Sequence, residues 1–465
     1  MIKDYYFCGI GGSGMMPLAL IVQSQGHTIG GSDRSMDQGR TPEKFDWLRN
    51  HGVSLFVQDG SGVTSPEQIV VASGAIEDTV PDIAAARRVG ATVVTRPQML
   101  SQLFNSAPTS IGVAGTSGKS TITGMIAWIL HHCGRAPTVV NGAVMKNFVT
   151  DDQPFASALV GGNDMFVAEV DESDGSIARY TPTVAVVSNI SLDHKSMEEL
   201  RELFGGFVGR ARTAVLNLDN TETAALAQQL QANGDTGVTT FTLGEGQADI
   251  SARAITPLAD GIQFELVTAD ETRTVRLGVP GAHNVANAIA AIGAVHALGV
   301  DIDQAAIALE SFEGIRRRLE TVGTSASGIT VIDDFAHNPD KISATLKTLH
   351  AFDGRLLVMF QPHGFGPLKL MKDEFIDTFA TLMNADDLLV MPEPVYYGGT
   401  TDRSVSSVHI AEGIRQAGRR AEALATRDLC ADLIAAEARP GDRILIMGAR
   451  DDTLSTYAAD LLKRL

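Results

Sequence analysis

The sequence predicts an α/β protein of three domains built on mostly parallel sheets, on three observations. Short β-branched apolar runs alternate with stretches of helical periodicity, and glycine punctuates the joins, which is the pattern of strand-turn-helix units. At 465 residues the chain exceeds one ordinary core, and length alone suggests roughly two to four domains. The alternation also restarts twice. SAPT precedes a new strand, IGVAG, near residues 105–109, and ITVIDDFAHNPDK opens another strand-to-helix run beyond Glu320. The expected domains are therefore residues 1–106, 107–320 and 321–465.

In the first segment, strands are expected at DYYFCGI, HTIGGSD, QIVVASG and ATVVTR. Gly9-x-Gly11-x-x-Gly14 follows the first strand and Asp33 ends the second, a spacing that matches the dinucleotide-binding fingerprint. Taken alone it suggests an NAD-dependent oxidoreductase. The loop itself offers a pyrophosphate the N-terminus of a helix, and a UDP-sugar carries a pyrophosphate too, so the residues leave both ligands open.

The second segment opens on Gly115-Thr116-Ser117-Gly118-Lys119-Ser120 between an apolar strand and a helix expected from about Ser120. Glycines there let backbone N–H groups close around phosphates, Lys119 neutralises terminal phosphate charge, and the Ser120 hydroxyl can coordinate Mg²⁺. A glycine five places before Gly118 would complete the common Walker pattern. Val113 stands there, so the motif is a shorter variant. Phosphoryl transfer also calls for hard metal ligands at the ends of neighbouring parallel strands. MFVAEV runs into Glu169, Asp171, Glu172 and Asp174, and TVAVVSNI runs into Asp193 and His194. A strand TAVLNLD, a β-rich stretch over residues 237–278, and a helix starting near His283 follow. The third segment continues the alternation after the basic FEGIRRRLE.

Composition excludes several classes. The net charge of −18 opposes a nucleic-acid partner, because phosphate backbones are held by Lys and Arg. Charged residues make up 20% and no apolar run reaches about 18 residues, so no membrane span is expected. The N-terminus lacks a basic region and a cleavage site, which points to the cytoplasm. The three cysteines, Cys8, Cys133 and Cys430, are scattered and read as reduced, buried side chains.

GTSGKS, AEVDESDGS, SNISLDHK, GAHNVANAIAA, FEGIRRRLE and DDFAHNPDK occur in the order found in Mur ligases, and the resemblance spans essentially the whole chain. GIGGSGM and AEVDESDGS most resemble the branches that add L-alanine to UDP-N-acetylmuramate or return murein tripeptide to it. The resemblance implies an N-terminal Rossmann-like domain for the UDP-sugar, a central P-loop ATPase-type domain, and a C-terminal Rossmann-like domain for an amino acid or short peptide. It implies ATP and Mg²⁺ as cofactors and an acyl phosphate as intermediate.

Carried onto this chain, it assigns Gly11, Ser13, Gly14, Asp33 and Ser73 to the UDP-sugar. Gly115, Thr116, Gly118, Lys119 and Ser120 would hold ATP phosphates, with Ser120, Glu169 and His194 on the metal. His283, Asn284 and Asn287 match a segment associated with the adenine end. Arg317 would meet ATP phosphate, and Asp334 and His337 would reach the nucleotide and acceptor. Plainer roles stay open: a helix cap for His283 and Asn284, a packed turn for His337, a solvated face for Arg316.

The pattern departs from the alanine-adding branch in three places. Ser117 replaces a loop histidine, Lys195-Ser196 follow Asp193-His194, and Gly364-Phe365-Gly366 stand where arginines follow FQPH. Arginine forks suit carboxylates and phosphates. Lys369, Lys372 and Arg403 are the nearby candidates to replace them.

Overall fold

A computed structural model describes residues 2–74, 79–192, 195–244, 246–258, 261–395, 402–449, 451 and 453–465. The five-stranded N-terminal sheet comprises β1 (Asp4–Cys8), β2 (Thr28–Ser32), β3 (Ser54–Phe56), β4 (Ile69–Ala72) and β5 (Thr92–Thr95). Its order is β3-β2-β1-β4-β5, parallel throughout. The direction of strand addition reverses between β1 and β4, so a crevice opens beyond their carboxyl ends, where the Gly9–Gly14 loop and Ser73 lie.

The central sheet holds β6 (Thr109–Ala114), β7 (Thr138–Val140), β8 (Ala158–Leu159), β9 (Met165–Glu169), β10 (Val184–Val187), β11 (Thr213–Asn217), β12 (Gly237–Leu243), β13 (Ile250–Leu258), β14 (Gly261–Val267) and β15 (Thr272–Leu277). They run in the order β15-β14-β13-β12-β11-β10-β6-β9-β7-β8. Its middle is parallel, as expected of strands that are apolar throughout and covered on both faces. β14 pairs antiparallel with β15, and short β7 and β8 pair antiparallel at the other edge.

The C-terminal sheet contains β16 (Glu320–Thr324), β17 (Thr330–Asp334), β18 (Leu356–Gln361), β19 (Leu388–Pro392), β20 (Arg420–Leu424) and β21 (Arg443–Gly448) in the order β16-β17-β21-β18-β19-β20. Only the β16–β17 pair is antiparallel.

One sheet lies in each of the three segments, and the chain divides into two compact units. Met1–Thr256 and Gly261–Ile315 form one compact unit, and a second is built mainly on Arg316–Leu465. A continuous apolar cluster holds the first unit together. Phe7, Ile10, Leu18, Val22 and Phe104 of the N-terminal segment pack with Phe166, Ala168, Ile177, Phe204 and Phe207 of the central one. Among the described residues, no helix is long and apolar enough to cross a membrane.

The N-terminal segment also buries a carboxylate that, among the described residues, no cation meets. Asp82 is fully buried, accepting from the Ser32 hydroxyl at 2.5 Å and the Gly60 N–H at 2.9 Å. Burial pushes its carboxyl above the ordinary 3.8, against the pull of those two donors and with help from the charge of Asp59. A raised folded value means the folded state holds the proton more tightly than the unfolded state. The stability this confers is present in full below about pH 3.8 and is lost as pH rises through the folded value. Asp82→Asn should remove that decline, so its melting temperature should improve relative to the parent as pH is raised through this window. A difference independent of pH would refute the assignment.

Candidate active site

The phosphate loop is built by three adjacent parallel strands. β6 delivers Gly115–Gly118, with β9 on one side and β10 on the other, Val113 paired with Glu169 and Ala114 with Val187. Gly115 and Gly118 have φ of +131° and +89°, and neither has room for a side chain. A Cβ on Gly115 would lie 2.6 Å from Ser188 Oγ, and one on Gly118 would lie 2.6 Å from Asn287 Oδ1. Glycine is required here by conformation and by contact together.

The segment after β10 fixes the loop. Thr116 N–H donates to the Asn189 carbonyl at 3.1 Å, and Ser117 N–H to Asn189 Oδ1 at 2.9 Å. Ser188 Oγ and Asn189 Nδ2 both donate to the Ser117 carbonyl, at 2.8 and 3.0 Å. The Thr116 hydroxyl exchanges hydrogen bonds with the backbone of Ser191. In the sequence Ser188 and Asn189 stand in the strand TVAVVSNI and the motif SNISLDHK with no role of their own. The available signal was an asparagine just past the strand that borders the phosphate-loop strand.

Lys119 begins the helix Lys119–His132 and folds back across the loop. Its ammonium donates to the Gly115 carbonyl at 2.7 Å and to Glu172 Oε2 at 3.0 Å, with Glu172 only 5% exposed. Asp171 lies in the same turn. Burial drives its carboxyl upward, but Lys119, the Ser173 N–H and hydroxyl, and Arg96 outweigh it and hold it below the usual range.

Ser120 is buried in the first turn of the helix, and its carbonyl accepts from Asn141 Nδ2 at 3.0 Å. Glu169, at the end of β9, accepts the Gly142 N–H on Oε1 at 2.7 Å. Among the described residues no group of three or more His, Cys, Asp and Glu side chains could hold a metal ion. Asp193 and His194 lie outside the described residues. The Ser120 hydroxyl in the first helical turn and the Glu169 carboxylate at the end of β9 are nonetheless hard oxygen donors, and that donor chemistry fits Mg²⁺.

The helix Ala282–His296 enters from the other side, with Gly281 as its N-cap and no side-chain cap, so neither His283 nor Asn284 caps it. Asn284 and Asn287 are buried. Asn284 Nδ2 donates to the Pro280 carbonyl at 2.7 Å, and Asn287 Nδ2 donates to Asn284 Oδ1 at 3.1 Å. Asn287 Oδ1 packs on Gly118, so this pair braces the phosphate loop, while His283 is exposed.

In the N-terminal loop, the N–H groups of Gly9 and Ile10 donate to the Ser32 carbonyl at 2.8 and 3.0 Å. Asp33 is 7% exposed, and both its oxygens are engaged by backbone. Oδ2 accepts from Gly11 N–H at 2.8 Å, and Oδ1 accepts from Ser35 N–H at 2.7 Å as a helix cap. Its carboxylate ties the loop to β2. A Cβ on Gly11 would stand 2.8 Å from the Phe45 ring. Ser13 is exposed, Gly14 is the N-cap of the helix Met15–Ser24, and Ser73 is half-buried just past β4.

In the second unit, Arg317 sits in the left-handed region at φ +59° and is 8% exposed. Its guanidinium faces Asp333 at 3.3 Å and donates to the carbonyls of Gly448 at 2.6 Å and Asp451 at 3.0 Å. The expectation from resemblance was a phosphate arginine. These contacts engage it within its own unit. Asp334, at the end of β17, accepts from Leu319 N–H at 2.9 Å and the Thr345 hydroxyl at 2.7 Å.

His337 donates from Nδ1 to the Phe335 carbonyl at 2.9 Å and meets His363 edge to face. Burial, with Lys341, His363 and Arg318 nearby, pushes its pKa down to about 3 against that hydrogen bond, so the ring is neutral with Nε2 as acceptor. Beyond β18, Lys369 pairs with Asp402 at 2.5 Å and the Arg403 guanidinium lies 5.6 Å over the Phe365 ring. Lys372 starts the helix Lys372–Leu382.

Comparison with known proteins adds the following. Three family models match in order: the Mur ligase family catalytic domain at residues 4–107, the Mur ligase middle domain at 113–295, and the Mur ligase glutamate ligase domain at 317–450. UDP-N-acetylmuramate–L-alanine ligase of Desulfosudis oleivorans is 35% identical, covering 97% of this chain and 96% of that protein. The same enzyme of Dinoroseobacter shibae is 34% identical over 99% and 97%. Among solved structures, UDP-N-acetylmuramate-alanine ligase of Thermotoga maritima superposes with a TM-score of 0.82 at 25% identity, covering 100% of this chain and 99% of that one. A murein peptide ligase of Psychrobacter arcticus gives 0.72 at 26% identity over 99% and 98%. With models matching nearly end to end and relatives above 30% identity at full length, this chain belongs to the Mur ligase family.

Proposed function

We propose that this chain is a cytoplasmic, ATP-dependent ligase that joins L-alanine to the carboxylate of UDP-N-acetylmuramate, a step of peptidoglycan precursor synthesis. The supporting observation is a phosphate loop spanned by Lys119 in a chain whose full-length relatives are UDP-N-acetylmuramate–L-alanine ligases. A carboxylate does not condense with an amine in water, because oxide is too poor a leaving group. Transfer of the ATP γ-phosphoryl group to the carboxylate gives an acyl phosphate. Attack by the amine then forms the amide and expels phosphate.

Phosphoryl transfer is mainly positional and electrostatic work. Backbone N–H groups of Lys119 and Ser120 in the first turn of the helix meet the phosphates, while those of Thr116 and Ser117 hold the loop on Asn189, and Lys119 turns from Glu172 to the transferring group. Ser120 and Glu169, with His194, would hold Mg²⁺, which when bound neutralises phosphate charge. Gly9–Gly14 and Ser73 take the UDP-sugar at the β1/β4 crevice, and Asp334, His337 and the segment after β18 face the acceptor.

The test is ADP release with ATP, Mg²⁺ and UDP-N-acetylmuramate, comparing L-alanine, other amino acids and the murein tripeptide. Turnover should be highest with L-alanine and absent without the UDP-sugar. Preference for the tripeptide would move the chain to the recycling reaction, and NADH oxidation without ADP release would overturn the ligase assignment.

A further inference from the structure

Arg427 lies outside the site described so far, yet it holds the strand end from which the acceptor segment leaves. It is the first residue of the helix Arg427–Glu437, whose N-cap Thr426 accepts from Leu429 N–H at 3.3 Å. A cation in the first turn opposes the helix dipole, so the helix itself gains nothing from an arginine there. The side chain is 23% exposed and turns instead to the neighbouring strand ends, where each of its three nitrogens donates. Nε meets Gln361 Oε1 at 2.7 Å, Nη1 meets the Thr453 hydroxyl at 2.9 Å, and Nη2 is bound to Asp451 Oδ2. Asp451 Oδ1 accepts from the Thr453 N–H at 3.0 Å and from its hydroxyl at 2.6 Å, which fixes the carboxylate facing the fork.

Gln361 ends β18, is 1% exposed, and pairs with Gly448 of β21. A side-chain amide can be turned either way, and the guanidinium settles the choice, since only Oε1 can accept from Nε. Nε2 is thereby directed to the carbonyls of Pro362 and Glu393, both at 3.1 Å. The Val395 N–H reaches the same Pro362 carbonyl at 3.3 Å. One arginine so ties the exits of β18 and β19 to each other and to the start of the helix Thr453–Arg464. Past Gln361 the chain runs through Pro362 to His363, which meets His337 edge to face with 5.3 Å between ring centroids. Gly364, Phe365 and Gly366 then bring no charged group. What this stretch offers an acceptor is His363 and its own backbone, so the placement of that backbone matters.

We propose that Arg427 is a positioning residue for the amine acceptor: by orienting the Gln361 amide it sets residues 362–365, where the amino acid docks. The assignment rests on the acceptor reading of that segment above. Arg427 acts through Gln361 and needs no contact of its own with a substrate. Its loss therefore falls on attack by the amine and leaves formation of the acyl phosphate alone.

Hydroxylamine separates the two halves of the reaction. Its nitrogen bonds the acyl carbon as phosphate leaves and its proton goes to water, so it traps the acyl phosphate as a hydroxamate without using an amino-acid site. Arg427→Lys keeps a cation beside Asp451 but loses the planar fork that also reaches Gln361. With ATP, Mg²⁺ and UDP-N-acetylmuramate, this variant should raise the KM for L-alanine, or for the tripeptide should the parent prefer it, by about 10- to 100-fold, the scale of a misplacement of about 1 Å away from the chemistry. Its kcat at saturating acceptor, its KM for ATP and for UDP-N-acetylmuramate, and its rate of hydroxamate formation should stay within about twofold of the parent. Should the lysine variant melt early, Asp451→Asn carries the same comparison with a rise of about three- to tenfold, because it keeps an acceptor for the fork but not the charge. The double variant should be no worse than Arg427→Lys alone, since both act on one path. A loss of hydroxamate formation in step with amide formation would mark general damage and overturn the assignment, as would a parental KM for the acceptor. If the parent forms neither amide nor hydroxamate, the ligase reading falls and the role of Arg427 with it.

Discussion

Lys119→Ala should lower the rate of ADP release at saturating substrates by about 10³-fold, the upper range for removing one preorganised charged donor from a transferring group. The lysine does two things at once. It spans the loop from the Gly115 carbonyl to Glu172, and it neutralises a turn that carries Asp171, Glu172 and Asp174 within four residues. Removing it deletes the cation and leaves Glu172, 5% exposed, as an unmatched negative charge beside the phosphates. Glu172→Gln separates the two effects. It keeps the lysine while deleting its counter-charge, and should cost about tenfold or less. Lys119→Arg should not rescue, because the planar fork cannot take the compact ammonium's place between a carbonyl and a carboxylate. The check is steady-state ADP release with circular dichroism to confirm folding. Full turnover by Lys119→Ala would remove the loop from the mechanism.

The parts of this site that could be read from sequence are those whose partners lie close along the chain. Strand β6, the glycines and the helix from Lys119 form one continuous stretch, so GTSGKS carries its own geometry. The braces of that loop were not readable: Asn189 is more than seventy residues from Ser117, and only parallel pairing of β6 with β10 brings them together. The spacing that sets Asp33 beside the glycine loop does not announce the two backbone N–H groups its carboxylate accepts. The apolar cluster shared by the N-terminal and central sheets was equally invisible, because alternating apolar residues announce buried faces without saying which faces meet.

Arg317 is engaged within its own unit by Asp333 and two carbonyls, and Arg317→Ala should cost about 3–5 kcal/mol of stability, as for breaking a buried ion pair from one side. Asp333 and Asp334 are neighbours on β17, so period-two alternation sends them to opposite faces. Asp334 meets Leu319 N–H and the Thr345 hydroxyl, while Asp333, fully buried, meets Arg317 and the Ser455 hydroxyl at 2.9 Å. Burial already raises the Asp333 carboxyl, with Arg317 and Ser455 pulling it back and Glu320 adding to the rise. Without Arg317 it must rise further. A folded value raised above the unfolded one costs stability as pH climbs, so the penalty of Arg317→Ala should be larger at about pH 8 than at about pH 5. The double variant with Asp333→Asn should recover part of the loss, since it removes the charge left behind. Arg317→Gly supplies the backbone control. The left-handed conformation at φ +59° strains any side chain, so glycine should be less damaging than alanine by about 1 kcal/mol. Thermal melts of Arg317→Ala, Asp333→Asn, their double variant and Arg317→Gly at both pH values decide the matter: a loss that is flat with pH and additive with Asp333→Asn would mean that Arg317 is not held by this carboxylate.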